Sequence, residues 1–362
     1  MKIAIDAINI KSDGGITYLN EFLLNFNKKK INEINVYIAD KSLIKTKSSK
    51  IKIIENKIFA KNFIITAIWK FLFLKSHLRK ANCKKLIVMS GHYLGNFNPT
   101  FLVMQNALPF FTNGSQQFPI ISRVKFIIQK ISYIISIYRK NNVIFVSNTI
   151  KKKILKNFKK KIKYIVAHHG TSNQIFERKT VERKGVLKII YVSQYSYHKN
   201  HKNLFFAIKQ LNINGIRVTL DCYGQDLDGN LKKLKNYIKK NNIQGIKLND
   251  SVDQKKLFMI YKKYDCHIFP SQCESFGLPL LESAKAGLLI ICSNLKIFKE
   301  LLNKSPIYFN PNSKNDMISA LLKVIMMPKI EFNKKIAESL KISKTYLWKS
   351  EIKKIEKFIF KV

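Results

Sequence analysis

Two glutamates frame the part of this sequence best suited to chemistry, the run Phe269-Pro-Ser-Gln-Cys-Glu274-Ser-Phe-Gly-Leu-Pro279-Leu-Leu-Glu282. A carboxylate accepts hydrogen bonds through two oxygens, so each can hold sugar hydroxyls. Pro279 favours the first turn of a helix, because its missing amide hydrogen would find no partner there. The backbone amides of Phe276, Gly277 and Leu278 then precede the positive end of that helix, where an anionic phosphate is stabilised. Gly277 permits close backbone approach. On this reading Glu282 lies in the first helical turn and binds a ribose diol, while Glu274 on the loop reaches a sugar hydroxyl.

Such a strand–loop–helix segment belongs to a doubly wound sheet, and the rest of the chain supplies one on each side of a break. Residues 2–6 form an apolar strand, followed by a Gly14-Gly15 loop and a helix-like stretch over 16–26. Further strands are expected at 36–39, 51–54, 85–89, 100–104, 143–146 and 163–167, with a helix over 148–158 behind the cap Ser147. A polar stretch interrupts the pattern after residue 168. The alternation resumes with the strand 187–192, the helix 203–211, the strand 217–223 and, after further elements, the strand 266–269. The fold class is therefore α/β, with two Rossmann-like parallel-sheet domains facing across a cleft. The boundaries are an N-terminal domain over 1–168, a linker over 169–185, a C-terminal domain over 186–344 and a last helix over 345–362.

The glutamate before Ser-Phe-Gly-Leu-Pro, the second glutamate in the next helix and the preceding Phe-Pro-Ser strand end together resemble the retaining glycosyltransferases of the large family 4, which have the GT-B fold. The resemblance implies a nucleotide-sugar donor in the C-terminal domain and a saccharide or lipid-linked saccharide acceptor in the N-terminal one. It implies that Glu274 contacts the donor sugar and Glu282 the ribose. The family's diphosphate lysine matches Lys199 in Tyr191-Val-Ser-Gln-Tyr-Ser-Tyr-His-Lys199-Asn200, where an ammonium would neutralise charge on the leaving nucleotide. Gly14 and Gly15 match the N-terminal glycine loop. The last helix resembles the family's terminal helix, which crosses back to the first domain. Surface polysaccharide or lipopolysaccharide synthesis is the implied setting.

The sequence departs from the family in two places. Ser193 and Gln194 stand where many members carry an arginine before the lysine. Gln105-Asn106 stands where many carry a histidine, and an amide donates a hydrogen bond but cannot act as a base. His92 and the pair His168-His169 are the remaining histidine candidates. No Asp-x-Asp motif and no His, Cys or carboxylate set with ligand spacing is present, so no metal and no cofactor are expected.

With 66 Lys plus Arg against 22 Asp plus Glu, the formal charge of +44 either reflects a compositional bias, since Lys, Ile and Asn are abundant along the whole chain, or favours phosphate-rich partners. Nucleic acid is one, but no reader motif accompanies the charge. An anionic membrane surface is another. Residues 57–80 and 120–140 combine dense apolar runs with lysine and arginine, a composition that suits either an interfacial helix or one buried against the sheet. No run is long enough to span a bilayer. Five cysteines without a CxxC pair and no signal-like N-terminus point to the cytoplasm, with a peripheral position on the inner face of the plasma membrane. The competing readings are a basic nucleic-acid-binding protein and a GT-B-like epimerase, phosphorylase or inactive scaffold.

Overall fold

The computed structural model describes all residues except 12, 28, 30, 57–62, 107, 112–117, 157 and 172–184, with only the backbone of Asp13 and Phe63. Most of the linker expected at 169–185 thus lies outside the described residues, as does the start of the apolar segment 57–80. The chain divides into two compact units. Met1–Phe110, Ile120–Gly170 and Leu347–Val362 form the first, and Phe111–Pro119 with Thr171–Tyr346 form the second.

The first unit is built on seven parallel strands: β1 (Lys2–Asp6), β2 (Glu33–Ile38), β3 (Ile51–Glu55), β4 (Cys83–Val88), β5 (Thr100–Met104), β6 (Asn142–Phe145) and β7 (Lys163–Val166). Their spatial order is β3-β2-β1-β4-β5-β6-β7. The order reverses between β1 and β4, whose pairing sets Asp6 beside Val88. Central strands such as β5 are buried throughout, as expected where both faces of a parallel sheet are covered. The helices are α1 (Asp13–Asn25), α2 (Phe63–Leu72), α3 (Leu74–Lys80), α4 (Ile120–Lys140) and α5 (Asn148–Leu155). Ser147 caps α5 as read from the sequence, its hydroxyl accepting from the Ile150 amide at 3.2 Å.

Several boundaries differ from the sequence reading, among them the end of the helix expected over 148–158, which stops at Leu155, and the starts of α1 and of the terminal helix. Helix α1 starts at Asp13, so Gly14 and Gly15 form its first turn and not a loop before it. The helix is anchored by the fully buried Tyr18, Leu19, Phe22 and Leu23, and that burial outweighs the roughly 1 kcal/mol each glycine costs in a helix. The terminal helix begins at Trp348, not near residue 345. Thr345 and Tyr346 instead close the preceding helix, their amides donating to Ile342 and Ser343. In the first unit the rings of Tyr18, His169 and Trp348 pack against one another, with His169 5.1 Å from Tyr18 and 5.5 Å from Trp348, and Tyr18 5.7 Å from Trp348.

The second unit carries β8 (Leu187–Val192), α6 (His201–Ile213), β9 (Val218–Gly224), α7 (Asn230–Lys240), β10 (Ile246–Asp250), α8 (Gln254–Tyr261), β11 (Cys266–Phe269), α9 (Leu278–Lys285), β12 (Leu289–Ser293), α10 (Lys296–Leu302), β13 (Ile307–Phe309), α11 (Lys314–Met326) and α12 (Lys329–Ser343). Its six parallel strands run β10-β9-β8-β11-β12-β13. The order reverses between β8 and β11, which opens a crevice at their C-terminal ends, the general ligand position of such sheets.

A buried histidine ties these parts together. The Val192 amide donates to His267 Nε2 at 3.3 Å, and Nδ1, the protonated nitrogen that remains, lies 2.7 Å from the Ser283 hydroxyl. Ser283 donates onward to the Leu280 carbonyl at 3.1 Å. One side chain thereby links the end of β8, the middle of β11 and the first turns of α9. Burial pushes the His267 ring down to about 3, so it stays neutral and keeps this tautomer.

Candidate functional site

The reversal between β8 and β11 brings two distant loops into contact. Lys199 ends the short turn Tyr197–Lys199 after β8, and Glu274 lies on the loop after β11. Their side chains form an ion pair between Nζ and Oε1, each only 12% exposed. The ammonium also sits 5.3 Å from the centre of the Phe269 ring. The residues read from the sequence as sugar and diphosphate ligands therefore hold each other, a contact no spacing argument contained. An ammonium has three donors and a carboxylate about four acceptor positions, so the pair retains capacity for a ligand.

The turn bearing Lys199 is fixed by four hydrogen bonds. The Tyr191 hydroxyl donates to the Lys199 carbonyl at 2.7 Å. The Gln272 amide donates to the His198 carbonyl at 2.9 Å. Asn200, left-handed at φ 61°, donates its side-chain amide to the carbonyls of Pro270 and Pro311 at 3.1 and 2.8 Å. Asn200 and His267 are positioning residues that sequence reasoning missed. A signal for Asn200 was available in the Lys-Asn step at a helix start, since asparagine tolerates the left-handed region and bonds locally. His267 reads as one more residue of an apolar strand.

Helix α9 opens at Gly277, which has φ 109°, and Pro279 occupies its first turn as read from the sequence. A Cβ at Gly277 would lie 2.9 Å from the Phe298 ring, so backbone conformation and space both require glycine. Leu280 donates to the Gly277 carbonyl at 3.0 Å, which leaves the amides of Gly277 and Leu278 at the helix mouth. Phe276 is buried with its ring 6.3 Å from that of Tyr346. Glu282 falls in the second turn of α9, not the first, because the helix starts at Leu278. It is buried and accepts a hydrogen bond from Gln254 on α8 at 2.6 Å. Ser193 closes β8, its hydroxyl donating to the Gln194 carbonyl at 3.2 Å. Gly224 at the end of β9 packs so closely there that a Cβ would meet the Ser193 carbonyl at 1.7 Å.

The remaining sequence candidates lie in the first unit. His92 follows β4 at the reversal of that sheet, with Nδ1 3.1 Å from the Ser90 carbonyl and its ring edge-on to Tyr133. Burial, reinforced by Lys70, pushes it down to about 4. Gln105 donates to the Met89 carbonyl at 3.1 Å, which sets its amide beside the same strand end. Asn106 accepts from the Leu108 amide at 3.0 Å and so shapes its own turn. The His168 amide donates to Glu351 at 2.9 Å, while His169 is a core residue pushed down to about 3 by burial. Gly14 has no atom within 4 Å of its Cβ position, and Gly15 is buried in the same turn. Sequence reasoning also missed the ion pair of Asp6 with Lys70, which closes the end of β1 with both side chains nearly inaccessible. Lys70 lies in the segment 57–80, whose composition left open whether its basic residues face a lipid headgroup or are buried against the sheet. Its burial follows from the partner, since an unpaired ammonium would not remain charged there.

Residues 172–342 match the family described as glycosyl transferases group 1. An O-antigen biosynthesis glycosyltransferase of Escherichia coli, WclY, is 38% identical over 73 residues, or 19% of this chain and 20% of that protein. The O-antigen chain mannosyltransferase RfbU of Salmonella typhimurium is 29% identical over 73 residues, 20% of this chain and 21% of its own. These alignments span about a fifth of each curated relative. The whole fold is shared more widely. HepE of Anabaena, solved in complex with UDP-glucose, superposes with a TM-score of 0.76 at 12% identity and covers 100% of both chains. WaaG, a glycosyltransferase involved in lipopolysaccharide biosynthesis, gives 0.73 at 10% identity over 98% of each chain. The chain therefore has the GT-B architecture of two Rossmann-like domains.

Proposed function

Because residues 172–342 match the group 1 glycosyl transferases, we propose that the protein transfers a sugar from a nucleotide-sugar donor to a saccharide or lipid-linked saccharide acceptor, with retention of anomeric configuration. The observation that carries this reading is the meeting of Lys199 and Glu274 at the strand reversal, beside the mouth of α9. The amides of Gly277 and Leu278 and the Lys199 ammonium supply positive charge where a diphosphate would leave, in place and shielded from water before the reaction begins. Glu282, oriented by Gln254, accepts from the ribose diol. Glu274 orients the donor sugar while accepting one hydrogen bond from Lys199. These fixed charges supply the leaving-group stabilisation, so transfer proceeds without a metal. Synthesis of a surface polysaccharide or lipopolysaccharide is the setting, and the enzyme acts in the cytoplasm at the inner face of the plasma membrane.

Thermal unfolding with UDP-, GDP-, ADP- and CMP-sugars tests donor binding, since a ligand of the native state raises its stability. A shift with one nucleotide class, lost in Glu282→Ala, is the expected result. Product NMR then reads the anomeric configuration. An inverted linkage would overturn the retaining mechanism, and the absence of any shift would overturn the donor site.

A further inference from the structure

Two helices of the first unit carry their apolar stripes outward. On α4, Ile120, Val124, Ile127, Ile128, Ile131 and Ile135 are exposed, Ile120 to 75%. Its buried residues, Tyr133, Ser136, Ile137 and Lys140, fall on the opposite side of a 3.6-residue helix. Helix α2 repeats the arrangement, with Ile64, Ile68, Phe71 and Leu72 exposed and Thr66 and Lys70 buried. A helix on a protein surface ordinarily shows the reverse. The crossovers from β3 to β4 and from β5 to β6 run the same way along the sheet. Right-handed connections therefore place α2 and α4 on one face.

The charges bordering these stripes carry a single sign. Arg123 and Lys130 flank the α4 stripe on one side and Lys125 on the other, all exposed. No aspartate or glutamate occurs anywhere between Glu55 and Glu177. A second copy of this chain seated on the face would set one cationic border against another. A nucleic acid would engage the charges and leave the isoleucines in water. A surface that is negative outside and apolar beneath satisfies both features.

We propose that this face docks on an anionic lipid bilayer, with the outward stripes of α2 and α4 at the boundary of headgroups and acyl chains and Arg123, Lys125 and Lys130 on the lipid phosphates. The helices lie in the interface and do not cross it, for no described helix is long and apolar enough to span. The cationic border draws the face to the surface and the stripes hold it there. The peripheral location is part of the function read above, but its test needs neither donor nor acceptor, so the two readings fail separately.

The experiment is flotation of the full chain with vesicles of phosphatidylglycerol and phosphatidylcholine in equal parts, and with phosphatidylcholine alone. Binding to the first and not the second, weakened by added salt, is expected. Substituting Val124→Gln, Ile128→Gln and Ile131→Gln together should lower the bound fraction on the order of tenfold or more, with the thermal midpoint unchanged because these side chains are exposed. Arg123→Glu with Lys130→Glu should lower it as well. Three results would overturn the proposal: no flotation with anionic vesicles, equal flotation of the triple variant, or a wild-type dimer that the triple variant dissociates while vesicles go unbound.

Discussion

Asn200 donates its side-chain amide to the Pro270 carbonyl at 3.1 Å, and so joins the turn that carries Lys199 to the loop that carries Glu274. The same amide reaches Pro311 at 2.8 Å. Asn200→Ala leaves two buried carbonyls without this donor and puts a Cβ-bearing residue without local bonding at φ 61°. A loss of about 2–4 kcal/mol is expected from these effects together. Asn200→Gly relieves the backbone strain alone and should recover about 1 kcal/mol. Urea unfolding of both variants checks the order, and both should bind donor more weakly because the turn is no longer tied.

The Lys199–Glu274 pair predicts coupling between two single substitutions. Each side chain is 12% exposed, so removal of either leaves the other charge poorly solvated. Lys199→Ala and Glu274→Ala should each destabilise by about 1–3 kcal/mol, and the double variant by less than their sum. Turnover should fall on the order of a hundredfold or more in each single variant. A double-mutant cycle in thermal unfolding, with a parallel turnover assay, separates the structural effect from the chemical one. Full activity in Glu274→Ala would remove that residue from the mechanism.

Glycine is required at two places for different reasons. At Gly277 an alanine would have φ 109° with its Cβ 2.9 Å from the Phe298 ring. That ring can shift, so about 1–3 kcal/mol is expected along with a loss of nucleotide-induced stabilisation. At Gly224 the Cβ would meet the Ser193 carbonyl at 1.7 Å, and backbone has to move. Gly224→Ala should be the more destabilising of the two, read from the urea midpoint.

Acid should weaken this protein through its buried histidines. Burial lowers His267, His201 and His169 to about 3 and His92 to about 4 in the folded chain. Unfolded histidines titrate near 6.5. Between the two values the unfolded chain binds more protons, so stability is full above pH 6.5 and falls as pH drops toward 4. Each such histidine contributes a slope approaching 1.4 kcal/mol per pH unit. His267→Gln should remove one share of that slope, and lower stability at pH 7.5 by releasing Val192 and Ser283. Urea unfolding at pH 7.5, 6 and 5 reads both effects.

The sequence by itself determined the architecture and the segment that carries the chemistry. Apolar strands such as 100–104, 187–192 and 266–269 could be bounded to the residue, because buried parallel strands are continuous apolar runs that end where polar loops begin. Glu274, Gly277 and Pro279 were legible because strand end, glycine and proline have local backbone requirements. Contacts between distant positions were decided by the tertiary structure alone. The spacing of Lys199 and Glu274 says nothing of their ion pair, which exists because the strand order reverses between β8 and β11. Lys70 and Ile128 show the same limit from both sides. Each lies in an apolar-basic segment that fits burial or exposure equally well, yet Lys70 is buried on Asp6 and Ile128 faces solvent. Helical periodicity identifies which residues share a face, but only the packing of the sheet selects which face turns inward.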